Sequence, residues 1–532
     1  MPSTLIEHAS LYDGSSRAPR AADVLVVGDR IAAIEATGVL SRISCDERID
    51  GKGLALCPGF IDLHTHSDAT LLVDGGADNE LLQGVTTEVI GNCGHSCAPL
   101  AHRDDIRRLA LGTQRGFEAD WTDFDGYLTK LQAAGPGTNV AALVGHGALR
   151  CCAMGGAPRA ASSDELRAMQ RLLEESLDAG AVGLSTGLEY APGSSATADE
   201  IEALCTTTAR RGALYATHVR NRDRSYVSGV GEALDAARHT GVRTQISHLQ
   251  PKFGAPAHAA AHCLEMVSRT RNDGADVRYD IIPHTWGPTM IASVLPAWAF
   301  EGGLDALLRR LGDQQHRGML KVNPRPLWQL VAQGRWEDIV LFHCESTPEL
   351  IGLSIAEIGR KRGIDPHDAV LDLLRDEGDA LYGAAWVGHN FVEDDVALLL
   401  QQPGAGVISD AVSTSSGGPL GALRWSPSSH GWSARFLRHY AHDRGLMSRE
   451  EAVHRLTGLP AQRLGLVDRG SIEAGSAADL VLVDFDAIAD LSDLSHPLRS
   501  PAGVLHVMVN GAWAVRDGLR TSVRSGRVLR RE

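Results

Sequence analysis

Pro58-Gly59-Phe60-Ile61-Asp62-Leu63-His64-Thr65-His66 is a short apolar run that ends in two histidines. Residues i and i+2 of a strand share a face, so His64 and His66 point the same way. Two imidazoles on one face at the C-terminal end of a barrel strand are well placed to hold a divalent metal. An isolated H-x-H in a chain with 22 histidines also fits core or turn residues. Three further stretches tip the balance. Tyr215-Ala216-Thr217-His218 and Gln245-Ile246-Ser247-His248 each set one histidine directly after a short apolar run. They are thirty residues apart, which fits one βα unit. Ser409-Asp410 closes another run, Gly406-Val407-Ile408. Four histidines and one aspartate, each ending a strand-length run, read as a metal site rather than as scattered core residues.

Working outward, strand-length runs alternate with helical stretches from Cys57 to about Gly465. Asn139 to Val144, Ala181 to Ser185, Ala213 to Thr217, Arg243 to Ser247 and Gly406 to Ser409 are the clearest strands. Glu165 to Ala179 and Ser448 to Leu456 carry apolar residues at helical spacing. That alternation predicts βα units and a parallel sheet. Both flanks are β-rich instead. Asp23 to Ile34 reads as two strands joined by a Gly28-Asp29 turn, and Asp479 to Val483 and Val504 to Val509 as strands near the other end. The expected fold is α/β: a metal-dependent, TIM-like (β/α)8 barrel with a small β-sandwich built from both termini. The expected divisions are 1–56, 57–467 and 468–532.

Composition agrees. The chain has 532 residues, 43% hydrophobic and 22% charged, with a mean hydropathy of −0.10, the profile of a globular protein with ample core. A net charge of −15 argues against nucleic-acid binding, which needs Lys and Arg to displace counterions. No run of 18 apolar residues predicts a spanning helix. The start, Met1 to Glu7, lacks a basic segment followed by an apolar one, so no signal peptide is expected. Nine scattered cysteines suggest no disulfide framework. The expectation is a cytoplasmic protein acting on a small molecule, without nucleic-acid or membrane partners and of open oligomeric state.

H-x-H on the first strand, one His each on the fifth and sixth and Asp on the eighth resemble the amidohydrolase superfamily. The closer resemblance is to the N-acyl-D-amino-acid deacylase (D-aminoacylase) family. It rests on Gly84-Val85-Thr86-Thr87-Glu88-Val89-Ile90-Gly91-Asn92-Cys93-Gly94, on Val144-Gly145-His146-Gly147, and on Gly183 to Gly193 with Glu189-Tyr190. Thr217-His218-Val219-Arg220-Asn221, Leu456 to Ala461 and Gly475 to Leu480 extend it from Asp23 to Gly518. Many amidohydrolases bridge two metals with a carboxylated Lys on the fourth strand, but Gly183-Leu184-Ser185-Thr186-Gly187 contains none. The resemblance implies Cys93 as a ligand in its place: a tight Zn2+ on Cys93, His218 and His248, and a second, weaker site on His64, His66 and Asp410.

The function this implies is zinc-dependent hydrolysis of a linear amide, deacylating N-acyl-D-amino acids. Asp410 would serve as general base and then acid. His146 has two readings, a donor to the substrate or oxyanion and a packed strand-end histidine. An α-carboxylate on the substrate needs cations or hydroxyls, for which Lys252, Arg220 and Tyr190 are candidates, with surface or loop contacts as the alternative. Where the family has Tyr-Pro-Tyr, this chain has Ile282-Pro283-His284, so His284 joins the substrate-binding candidates and the pocket there departs from the pattern. Two alternatives stay open: a cyclic-amide, imide or carbamoyl hydrolase of the same superfamily, and a catalytically silent metal-binding barrel.

Overall fold

The computed structural model describes residues 1–113, 115–322 and 328–531. Eight parallel strands follow one another in chain order around a nearly closed barrel: Phe60–Asp62, Val85–Ile90, Asn139–Gly145, Gly183–Gly187, Leu214–His218, Arg243–Ile246, Val277–Ile281 and Gly406–Val407. Every residue of Val85–Ile90 and Asn139–Gly145 is buried, as expected where helices cover a parallel sheet. The eighth strand meets the first just beyond their ladders. His66 donates its backbone N–H to Ala411 O at 2.7 Å, and Asp410 donates its own to His64 O at 3.1 Å. Closure therefore falls at the two segments that carry His64, His66 and Asp410.

The covering helices are placed by local sequence. Helix Ser163–Asp178 begins with a capping box, Ser162 accepting from the Glu165 N–H while Glu165 reaches back, and it buries Met169, Leu173 and Leu177. Such apolar stripes and the outward faces of the strands fill two contiguous cores around the barrel.

Strands from both ends of the chain form one nine-stranded sheet, in which Ala55–Pro58 lies between Leu480–Val483 and Ser3–Leu11. The sheet doubles back on itself: Arg30 bridges Ala477, and Trp513 Nε1 donates to Glu47 Oε2 at 2.8 Å. Ile6, Val24, Leu480 and Met508 are buried between its two halves. Gly59 carries the chain from this sheet into the first barrel strand. A Cβ there would lie 2.0 Å from Thr86 Oγ1, so only glycine permits the approach.

One feature departs from regular βα alternation. Between the seventh and eighth strands stands a three-stranded antiparallel sheet, Gly287–Met290, Ala385–Gly388 and Ile339–His343. Helices Gly303–Gly312, Ile355–Arg362 and Pro366–Glu377 pack around it with a core of their own. Sequence periodicity marks no separate unit here. Its helices have the same period as barrel helices, and its antiparallel pairing is a long-range property.

Candidate metal centre

The end of the first strand is fixed by Asp62, whose Oδ1 accepts the backbone N–H of His64 at 3.0 Å and that of Ser409 at 3.3 Å. One buried carboxylate thereby holds the last segments of the first and eighth strands together. Cys93 follows the second strand in the turn Gly91-Asn92-Cys93-Gly94, with a left-handed φ of +52°. Gly187, ending the fourth strand, makes room for that turn, since a Cβ on it would lie 1.9 Å from Cys93 O. His218 ends the fifth strand, and His248 follows the sixth with a φ of +36°. Asp410 follows the eighth with a φ of +53°.

These six side chains converge. Cys93 Sγ lies 3.2 Å from His64 Nε2, 3.4 Å from His248 Nε2 and 3.6 Å from His218 Nδ1. Asp410 Oδ1 lies 3.1 Å from His66 Nε2 and 3.5 Å from His64 Nε2. His64 thus stands between a thiol cluster and a carboxylate cluster. Within each of two sets, His64–Cys93–His248 and His64–His66–Asp410, the ligand atoms all lie within 4.8 Å of one another. All six residues are buried.

The protonation states suit cation binding. Burial pulls the His64 imidazole down to about 3 and the His218 imidazole to about 4, so both are neutral at pH 7. Burial would raise Asp410, but the His66 hydrogen bond and the fields of His64, His66 and Arg222 outweigh it and hold the carboxyl at about 2. Burial holds Cys93 as a thiol well above its ordinary value, a state that a coordinating cation reverses. Neutral imidazoles, an ionised carboxylate and a buried thiol facing one point are costly to desolvate unless a cation sits among them. The donor set fits a borderline-soft divalent metal.

The surrounding partners were not evident in the sequence. Glu189 Oε2 accepts from His218 Nε2 at 2.7 Å and from Lys252 Nζ at 2.7 Å, and its Oε1 accepts the Arg222 backbone N–H at 2.9 Å. This fixes the His218 tautomer, so that Nδ1 presents its lone pair to the cluster. Burial would raise Glu189, but Lys252, His218 and Arg222 hold it at about 2. Asp280 Oδ1 accepts the backbone N–H of His248 at 2.6 Å. Trp425 Nε1 donates to Asp410 O at 3.1 Å. Glu189 stands in a motif already quoted, but nothing along the chain pairs it with His218 or Lys252.

A cavity of about 990 Å³ opens beside the centre. Glu189, Tyr190 and His95 form its inner wall, and the extra sheet region contributes Met290, Leu295 and Trp298. Tyr190 is the link, its ring 4.8 Å from that of His218 and 5.4 Å from that of His95.

The other candidates fall as follows. Tyr190 and Arg220 line the cavity, but the Arg220 guanidinium closes on Glu232, with Nε and Nη2 each 2.8 Å from a carboxylate oxygen. Lys252 reaches the centre as the ion-pair partner of Glu189, which already balances its charge, and among the described residues it does not line the cavity. His146, for which a donor and a packed reading both stood, is fully buried. Its Nε2 is tied to Glu200 Oε1 at 2.7 Å, in a buried cluster with Arg150, and it is not among the residues that line the cavity of about 990 Å³. The buried ring of His284 faces Asp490 at 3.7 Å, and His284 is not among the residues that line that cavity.

The chain is similar to known proteins. The amidohydrolase family model matches residues 47–515. The chain is 34% identical over 531 residues to a D-aminoacylase of Alcaligenes xylosoxydans xylosoxydans, covering 99% of this chain and 97% of that protein. An N-acyl-D-glutamate deacylase of the same organism is 34% identical over 529 residues, with coverage of 99% and 96%. The crystal structure of N-acyl-D-glutamate deacylase from Bordetella bronchiseptica, complexed with zinc and a phosphonate mimic of the tetrahedral intermediate, aligns with a TM-score of 0.81. That alignment has 31% identity and covers 99% of both chains.

Proposed function

Because this chain belongs to the amidohydrolase family, we propose that it is a zinc-dependent hydrolase that deacylates N-acyl-D-amino acids. The convergence of Cys93, three imidazoles and the His66–Asp410 pair at the barrel mouth carries this reading. The fourth strand, Gly183–Gly187, has no lysine to bridge two metals, which favours a linear amide over the cyclic-amide alternative. We assign the tight metal to Cys93, His218 and His248, and a weaker one to His64, His66 and Asp410. Bound there, zinc would polarise the scissile carbonyl and lower the pKa of the attacking water.

The chain's own residues do the rest. Asp410, ionised and facing His66, accepts a proton from the attacking water. It returns that proton to the nitrogen as the carbon–nitrogen bond breaks, leaving a carboxylic acid and a free amine. Glu189 holds His218 in one tautomer, and Tyr190 offers a hydroxyl to the substrate. Nine free cysteines among the described residues suit a reducing compartment, which supports a cytoplasmic location. No helix of the described residues is long and apolar enough to cross a membrane.

The test is a metal assay joined to a panel of N-acyl-D- and N-acyl-L-amino acids. We expect at least one zinc per chain, turnover of D-substrates, and a loss of roughly 10²–10⁴-fold in kcat for Asp410→Asn with the tight zinc retained. An Asn variant of near-normal activity would move the proton transfer to another residue. Turnover of hydantoins alone would replace the deacylase reading.

A further inference from the structure

Around the N-terminal ends of the sixth and seventh barrel strands, a second cavity of about 330 Å³ is lined by three arginines. Arg243 opens the sixth strand, Arg278 stands second in the seventh, and Arg463 reaches in from helix Gly458–Leu464. Asp276 is the one carboxylate in the lining. It is already paired with Arg463 Nη1 at 2.6 Å, and its side chain is 55% exposed. Arg463 also donates to Gln245 Oε1 at 3.2 Å, and Arg243 gives one nitrogen to Gly212 O at 2.9 Å. Arg278 makes no hydrogen bond or ion pair among the described residues. The lining therefore carries three guanidinium charges against one carboxylate, in a chain whose acidic residues outnumber its basic ones by 66 to 51.

Burial first, then repulsion from Arg243 and Arg278, pulls Arg463 down to about 10 in spite of Asp276. Like charges held together at an open cavity raise the energy of the empty protein, and a bound anion would offset that cost. Gly404, in the same wall, has a φ of +78°, and a Cβ on it would lie 2.4 Å from Arg278 Nη1. Glycine there leaves the guanidinium its room. The volume is at the lower end of small-molecule sites and exceeds what an inorganic ion needs.

We propose that this cavity binds a small organic anion of two or more negative charges, a phosphate monoester or a polycarboxylate, with Arg278 as its principal donor and Arg243 and Arg463 beside it. Charge-assisted bonds from a guanidinium are the strong class for such groups. This site is independent of the proposed deacylase chemistry.

Isothermal titration of the zinc-loaded protein with glycerol 3-phosphate and with tricarballylate tests the proposal and separates the two ligand sources. At least one should bind saturably at one site per chain. Arg278→Gln should weaken that binding about tenfold or more, and Arg278→Glu should abolish it. Gly404→Ala keeps all three arginines but crowds Arg278, and it should weaken binding as well. Absence of saturable binding for both probes would overturn the proposal. So would affinities unchanged in all three variants, which would put the anion elsewhere.

Discussion

Cys93, His248 and Asp410 share a left-handed backbone that few non-glycine residues adopt. Such strain persists only where the surroundings over-determine it, and it clusters at functional sites. Here the surroundings are Gly187 against Cys93, Asp280 on the His248 amide, and Trp425 on the Asp410 carbonyl. At this scale Glu189 matters most among the residues to which the sequence assigns no role. It is the acceptor for His218 and the counter-charge for Lys252. Glu189→Gln removes the charge and loosens the His218 tautomer, so zinc affinity measured by chelator competition should fall about 10–100-fold. Affinity unchanged from the parent protein would show that His218 needs no such orientation.

Among elements, the helix His146–Met154 starts directly from the third barrel strand, and helix Ala198–Arg210 packs nearby. Glu200 joins them, taking His146 Nε2 and Arg150 Nη1, each at 2.7 Å. Arg150 is fully buried, so Glu200→Ala would strand a charge in the core. Chemical unfolding should show a loss of about 3–5 kcal/mol. His146→Gln should cost stability while leaving zinc content and kcat close to those of the parent. A hundredfold fall in kcat at unchanged stability would return His146 to the catalytic step. The strand-end position of His146 matches that of the true cluster members. Only the partner from another helix distinguishes them.

Over the whole molecule, the larger shifts of buried groups set the response to acid. Burial lowers His64, His95, His218, His248, His284 and His430 below the ordinary imidazole value of 6.5. Between pH 6.5 and about 4.5 the unfolded chain takes up protons on these six while the folded chain does not, so acid weakens the fold. Asp62, Asp68, Glu80 and Asp280 are raised by burial and act in the opposite sense, the folded chain holding the extra protons. Six groups outnumber four, so the melting temperature of the metal-free protein should fall as pH drops from 6.5 to 4.5. A rise over that window would show that the carboxyls prevail.

Much of this molecule is legible along the chain, because burial period and turn chemistry are local. The alternation of runs gave the barrel, the β-rich flanks gave the shared terminal sheet, and the histidines and Asp410 stand at the ends of their runs. The chain does not show which side chains meet across strands. His146 and His218 both follow apolar runs, yet one ends in a helix-to-helix hydrogen bond and the other beside Cys93. Lys252 lies four residues past His248 and resembles a substrate-facing cation, until Glu189, sixty-three residues away, takes its charge. The antiparallel sheet before the eighth strand and the arginine cavity at the start of the sixth and seventh strands are likewise long-range. Period and propensity act over a few residues, whereas a partner for a buried charge is chosen by the fold, because desolvation makes every buried charge find one.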